Sequence, residues 1–292
     1  MNIIPGFLKE KIIEQYGETL SEKIINGYVE KKTTLRVNTL KSTNLKVKEN
    51  LRKNNINFEE VSWNENALII ESEEEKIRNL ELYKNGEIYL QSLSSMIPPL
   101  VLDPKPQENI LDMTAAPGGK TTEISAITNN EAYITACEKN KIRLERLKYN
   151  LQKQGAKYVN VMQKDARNLD DFLKFDKILL DAPCSGSGTE NVFENKFTEE
   201  LILRSAKTQE ALLRKALKIV KKGGEIVYST CSILEQENEN ILKNVLKGYK
   251  YEIIPIEISE EIETLPTKID GTICICPTEY FEGFFIAKIK KL

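Results

Sequence analysis

Residues 109–127 read NILDMTAAPGGKTTEISAI: a short apolar strand ending near Asp112, a turn of small residues carrying Pro117, Gly118 and Gly119, then Lys120 and Thr121 opening a helix. Small residues let a backbone approach a ligand closely, and a helix N-terminus suits polar or anionic groups. A triphosphate-binding loop needs its first glycine at position 114, where Thr114 stands, and no GxGxxG spacing is present. Downstream, apolar strands are expected at 132–137, 158–162, 177–180 and 225–229. The clearest helices are expected at 141–154 and 197–220. This alternation implies parallel βαβ units and a doubly wound α/β sheet. Ligands of such sheets bind at the carboxyl ends of the strands.

Upstream, residues 7–16 and 19–29 carry apolar positions at helical spacing, punctuated by Gly17. Residues 33–40 alternate like a strand, 45–54 look helical, and 61–70 suggest a hairpin turning at 64–66. Residues 92–106, with four prolines, read as a connector. Two domains are therefore expected, a small α+β unit over 1–90 and a larger α/β domain over 91–292.

Each strand end offers chemistry. Glu138 lies about twenty residues beyond the glycines, where an acidic group in nucleoside-binding folds accepts both ribose hydroxyls; the alternative is a surface glutamate. Asp165 follows the third strand and suits an adenine amino group. A glycine-rich end followed by two acidic ones favours an adenosine ligand without a triphosphate, and S-adenosylmethionine fits best. The fourth strand leads through KILLDAPCSGSGTE to Asp181, Pro183 and Cys184, an odd choice for packing. The fifth, GEIVYSTCSILEQENENIL, puts Cys231 at a handover to a helix. Ser232 and Glu235 stand there in capping-box spacing, a setting that favours a nucleophilic thiolate.

Composition closes other routes. The chain has 292 residues and no histidine, which excludes Ser-His-Asp triads, Cys-His pairs and HExxH zinc sites. Five cysteines without a CxxC pair argue against a disulfide framework or a metal centre. Reduced thiols in a cytoplasmic protein are expected. The opening MNIIPGFLKE reaches charge too soon for a signal peptide, and no run approaches the roughly 18 apolar residues of a membrane span. A net charge of -2 argues against a blanket of positive charge but leaves room for a local basic face.

The motifs DMTAAPGGKT, DAPCSGSG, STCS and the terminal EGFFIAKI, together with LRVNTLK from residue 35, resemble the RsmB/NOP/Sun family of S-adenosylmethionine-dependent RNA cytosine-C5 methyltransferases. The likeness runs from about Thr33 to Lys290. It implies a Rossmann-like methyltransferase sheet with a smaller N-terminal α+β domain. It further implies cofactor contacts from Thr114, Ala115, Ala116, Pro117, Gly118, Gly119 and Lys120, and from Glu138, Asp165 and Asp181. Cys231 would be the attacking thiol, Asp181 the partner of cytosine N3, and Cys184 the thiol that assists product release. Two departures stand out. Thr114 replaces a cysteine common in the glycine loop, and TENVFENKF after SGSG lacks the family's arginine-containing stretch.

The implied partner is RNA, either tRNA or rRNA, gripped by a monomer without metal or membrane. Residues 30–53 hold Lys31, Lys32, Arg36, Lys41, Lys46, Lys48, Arg52 and Lys53, and residues 139–153 form a second basic stretch. The N-terminal unit is expected to orient the RNA. Two rivals remain: a non-catalytic RNA assembly factor, disfavoured because both thiols and Asp181 are present, and a DNA cytosine methyltransferase using Cys184 as nucleophile.

Overall fold

The computed structural model describes residues 4–194 and 196–292, which fall into two compact units. One is Lys32–Asn168; the other joins the chain up to Lys31 with Leu169–Leu292. The chain opens in the latter, on α1 (Gly6–Asn26). The break expected at Gly17 is present: its φ of 75° and ψ of 169° interrupt the helix, a conformation that a residue without Cβ adopts freely.

In Lys32–Asn168 the small α+β layer comes first. It contains β1 (Thr33–Val37), α2 (Asn44–Lys53), β2 (Phe58–Glu60), β3 (Ala67–Ile70), α3 (Glu74–Asn79), α4 (Glu81–Lys84) and β4 (Ile88–Leu90). The strands form an antiparallel sheet in the order β2-β3-β1-β4. Its apolar face packs Leu35, Val37, Leu68, Ile70 and Ile88 against Val47 and Leu51 of α2. The hairpin expected within 61–70 forms, but its first strand lies earlier, at β2, and 61–66 is all turn.

The proline-rich connector is largely a helix, α5 (Leu93–Leu102), with Pro98 and Pro99 inside it. A proline leaves the carbonyl four residues back without its donor. Opposite Pro99 the freed carbonyl is that of Ser95, and Gln91 Nε2 donates to it at 3.2 Å. Then come β5 (Asn109–Asp112), α6 (Gly119–Ile127), β6 (Tyr133–Cys137), α7 (Lys141–Gln154) and β7 (Val159–Met162). These three strands pair in parallel, with Asp112 opposite Ala136 and Cys137 opposite Met162. Asn140 caps α7 by accepting from the Ile142 and Arg143 amides.

Leu169–Leu292 continues with β8 (Phe175–Asp181), α8 (Glu199–Ile219), β9 (Val220–Thr230), α9 (Glu239–Leu246), β10 (Tyr251–Ile254), β11 (Thr264–Leu265), β12 (Ile273–Ile275) and β13 (Phe284–Lys291). Strands β8 and β9 are parallel, with Asp181 opposite Ser229; β13 runs antiparallel to β9. Both units thus carry the expected α/β pattern, and their strands end where the motif residues begin. No helix among the described residues is long and apolar enough to cross a membrane.

Candidate active site

In Lys32–Asn168 the expected donor-binding residues gather at the carboxyl ends of β5, β6 and β7. Asp112 closes the glycine loop: buried, it takes a 2.7 Å hydrogen bond from Thr121 Oγ1 of α6. Ala115 and Ala116 pack their methyl groups against Leu144, Leu147 and Leu151 of α7. Gly118 sits at φ 110°, and a Cβ there would come within 3.0 Å of Leu147. Lys120 donates to Ser95 Oγ at 2.7 Å, so its ammonium is turned to α5. Glu138 is nearly buried; it accepts from the Asn140 amide at 2.7 Å and lies 3.5 Å from Arg143 Nε. Arg143 also donates to the Ala116 carbonyl at 2.6 Å, tying Glu138 to the glycine loop. Asp165 is held by Arg167, which donates through Nε at 3.0 Å and Nη2 at 2.5 Å. That fork keeps its carboxyl below the usual aspartate range. The acceptor set suits two ribose hydroxyls and an exocyclic amine, and the small-residue loop leaves backbone groups accessible.

In the other unit, Asp181 ends β8 and accepts from Ser229 Oγ at 2.9 Å. Three residues on, Cys184 Sγ lies 2.6 Å from Cys231 Sγ, and both thiols are free. The hydrogen bond with Cys231, reinforced by burial, pushes the Cys184 thiol well above its ordinary pKa. Cys184 also lines a cleft of about 250 Å³ with Ser185, Phe197, Lys196 and Arg204.

The helix N-terminus expected beside Cys231 is not there. The next helix, α9, begins at Glu239, and 232–238 is a turn, buried except at Glu235 and Gln236. Ser232 Oγ bonds Ser187 Oγ at 2.7 Å instead of capping, while Glu235 pairs with Lys268. Polar partners from the DAPCSGSG loop outcompete the local capping geometry.

Glu237, in that turn, went unmarked in the sequence. Fully buried, it accepts from the Ser185 amide at 2.8 Å, Ser185 Oγ at 2.5 Å and Gln209 Nε2 at 3.1 Å. Gln209 also donates to the Pro183 carbonyl at 2.9 Å, so the residues on both sides of Cys184 are fixed. The EGFF motif acts by packing: Gly283 donates its amide to Gly188 at 2.7 Å, and a Cβ on Gly188 would stand 2.1 Å from the Gly283 carbonyl oxygen. Cys137 is core, as expected. Two cations of this cleft were not singled out in the sequence: Lys196, within TENVFENKF, and Arg204, beyond that motif in α8.

The expected basic face over 30–53 is depleted. Arg36 is buried, Lys46 pairs with Glu87, and Lys48 pairs with Glu60. No cluster of side chains suited to a metal ion occurs among the described residues.

Residues 99–290 match the family model described as 16S rRNA methyltransferase RsmB/F, and residues 4–75 match the ferredoxin-like domain of RsmF/B-like methyltransferases. The chain is 38% identical over 219 residues to the tRNA (cytosine(72)-C(5))-methyltransferase of Pyrococcus horikoshii, an alignment spanning 74% of this chain and 55% of that protein. It is 34% identical over 301 residues to the tRNA (cytosine(49)-C(5))-methyltransferase of Pyrococcus abyssi, spanning 97% and 96%. The crystal structure of NSun6 from Pyrococcus horikoshii with SFG, an S-adenosylmethionine analogue, superposes with a TM-score of 0.90 at 26% identity, covering 99% of each chain. The chain thus spans about half the length of the first relative and nearly all of the second.

Proposed function

Since the chain belongs to the RsmB/F methyltransferase family, we propose that it forms 5-methylcytosine in RNA with S-adenosylmethionine as methyl donor, through a covalent Cys231–cytosine adduct. The observation that carries this reading is the 2.6 Å approach of Cys184 and Cys231 beyond the ends of β8 and β9. Core cysteines pack against hydrocarbon; two free thiols facing one another beside a strand-end carboxylate are arranged for addition and elimination.

Cytosine carbon 5 is too weak a nucleophile to take a methyl group directly. Addition of the Cys231 sulfur to carbon 6 pushes electron density onto carbon 5, and Asp181 holds the proton at N3 that balances it. The bound donor supplies an electrophilic methyl sulfonium. Glu138 would hold the donor's ribose and Asp165 its adenine amino group, with the 114–120 loop against the remainder. After transfer the carbon 5 proton leaves, the sulfur–carbon 6 bond breaks, and Cys231 departs as thiolate. Cys184 serves this last stage, as base or through a relayed water. The hydrogen bond with Cys231 and burial raise its pKa, so it acts as base only once its own proton has left, for which a relayed water is the carrier. The target base must leave its stack to be reached.

The RNA class we propose is tRNA, supported by the matched length of the Pyrococcus abyssi relative; the family description favours rRNA as the second reading. The protein would act as a cytoplasmic monomer, with residues 1–90 orienting RNA and 91–292 carrying the chemistry.

The test compares Cys231→Ala and Cys184→Ala with RNA and labelled donor. Cys231→Ala should lose transfer by at least about 10³-fold, and Cys184→Ala should accumulate a protein–RNA adduct stable to denaturant. Absence of transfer by the wild type to any RNA would favour the assembly-factor reading. Transfer to DNA with the thiol roles exchanged would favour the DNA enzyme.

A further inference from the structure

A second cavity, within Lys32–Asn168, lies apart from the residues assigned to the methyl donor and the thiols, and takes Arg146 and Lys153 from the basic stretch 139–153. It encloses about 310 Å³ and is walled by Arg78, Arg146 and Lys153, by Tyr83 and Tyr89, and by Asn150 and Gln154. Three cations converge on it and no carboxylate lines it. Arg78 is partly satisfied from outside by Glu74, to which its Nε donates at 2.6 Å. Arg146 and Lys153 have no carboxylate partner among the described residues. Lys153 Nζ lies 3.7 Å from the Tyr83 ring centre, a cation–π contact that orients the ammonium without neutralising it. Burial, with Arg78 and Lys41 nearby, holds its pKa below the usual lysine value. Positive charge crowded in this way is relieved by an anion.

Two further observations point to a nucleotide strand over a bare anion. Gln154 is buried and donates Nε2 to the Ile88 carbonyl at 3.2 Å, yet its Oε1 accepts nothing. A buried unmet acceptor in a cavity wall is costly unless a ligand donor such as a hydroxyl or amine meets it. Asn150 donates from the same wall to the Pro117 carbonyl of the glycine loop at 2.8 Å, so the cavity adjoins that loop.

Resting on the RNA-methyltransferase reading, we propose that this cavity is an RNA subsite outside the reaction centre. Arg146 and Lys153, assisted by Arg78, bind a backbone phosphate, and Gln154 accepts from the adjoining nucleoside. It supplies an anchor of the kind that the paired and buried cations of residues 30–53 do not.

The experiment measures RNA affinity against salt, and steady-state methyl transfer, for wild type, Arg146→Ala, Arg146→Ala/Lys153→Ala and a control, Lys105→Ala, whose exposed side chain pairs with Asp103. Each pocket cation removed should flatten the log–log salt slope by about 1 and raise KM for RNA about tenfold, with kcat and donor affinity preserved and the control unchanged. Inorganic phosphate at constant ionic strength should compete weakly with RNA in the wild type and lose that effect in the double variant. Unchanged slope and KM in an RNA-active protein, or phosphate binding that leaves RNA affinity untouched, would overturn the subsite alone. A wild type that neither binds nor methylates RNA overturns the parent reading and the subsite with it.

Discussion

Cys184 and Cys231 differ in environment more than in chemistry. Cys184 is braced by Glu237 through Ser185 and, by way of Gln209, through Pro183. Glu237 is a positioning residue, and its negative charge also helps to raise the Cys184 pKa. Glu237→Gln keeps the shape and removes the charge. The pH at which Cys184 is half-alkylated should therefore move downward, and kcat should fall about 10–100-fold with KM for RNA unchanged. A merely structural glutamate would lower thermal stability and leave the alkylation profile where it was. No sequence signal singled out Glu237, because its role depends on donors from residues 185 and 209. Within LEQENENIL it is one of three glutamates that the local pattern does not tell apart.

Among elements, local rules held where the chain has only local options and failed where a distant partner offered more. The α7 boundaries, the Asn140 cap and the α1 break at Gly17 follow from residues within a turn of each other. The capping box after Cys231 loses to hydrogen bonds with Ser187, and the prolines of α5 are tolerated because Gln91 serves one of the freed carbonyls. The terminal EGFF segment joins the thiol loop by backbone contact, the Gly283 amide donating to the Gly188 carbonyl. Gly283→Ala brings a Cβ within 2.6 Å of Ile233 and 2.9 Å of Gly188 Cα. It should cost about 1–3 kcal/mol in denaturant unfolding and reduce adduct formation. Wild-type values for both would show that the close approach is dispensable.

At the scale of the whole molecule, the chain's path matters more than its motif order. Residues of α1 serve the thiol loops of the same unit. Tyr16 and Gln15 donate to the Ile233 carbonyl at 2.5 and 3.0 Å, and Tyr28 donates to Ser187 at 2.5 Å. In Lys32–Asn168 a buried charge pair ties the antiparallel layer to α6: Arg36 lies 3.8 Å from Glu123, with Gln91 hydrogen-bonded to both and Thr122 accepting from the guanidinium. Removing one partner strands the other in an apolar interior. Arg36→Met should destabilise this unit by about 3–5 kcal/mol, and Arg36→Met/Glu123→Leu should recover much of that loss. Denaturant unfolding decides it; a cost below about 1 kcal/mol for the single substitution would contradict the assignment.

By itself, the amino-acid sequence determined the α/β class, the places where strands surrender to loops and the motif residues that stand at those strand ends. These depend on periodicity, on small residues at turns and on reactive groups placed just beyond apolar runs, all of which are short-range properties. Only the tertiary structure decided that Cys231 meets another sulfur instead of a helix end, that Arg36 is a core ion and not a surface phosphate contact, and that Glu237, Arg204 and the Arg146–Lys153 cavity exist as features. Each arises from side chains far apart in sequence that fold into contact, where the energy of a buried hydrogen bond or charge pair exceeds any local preference.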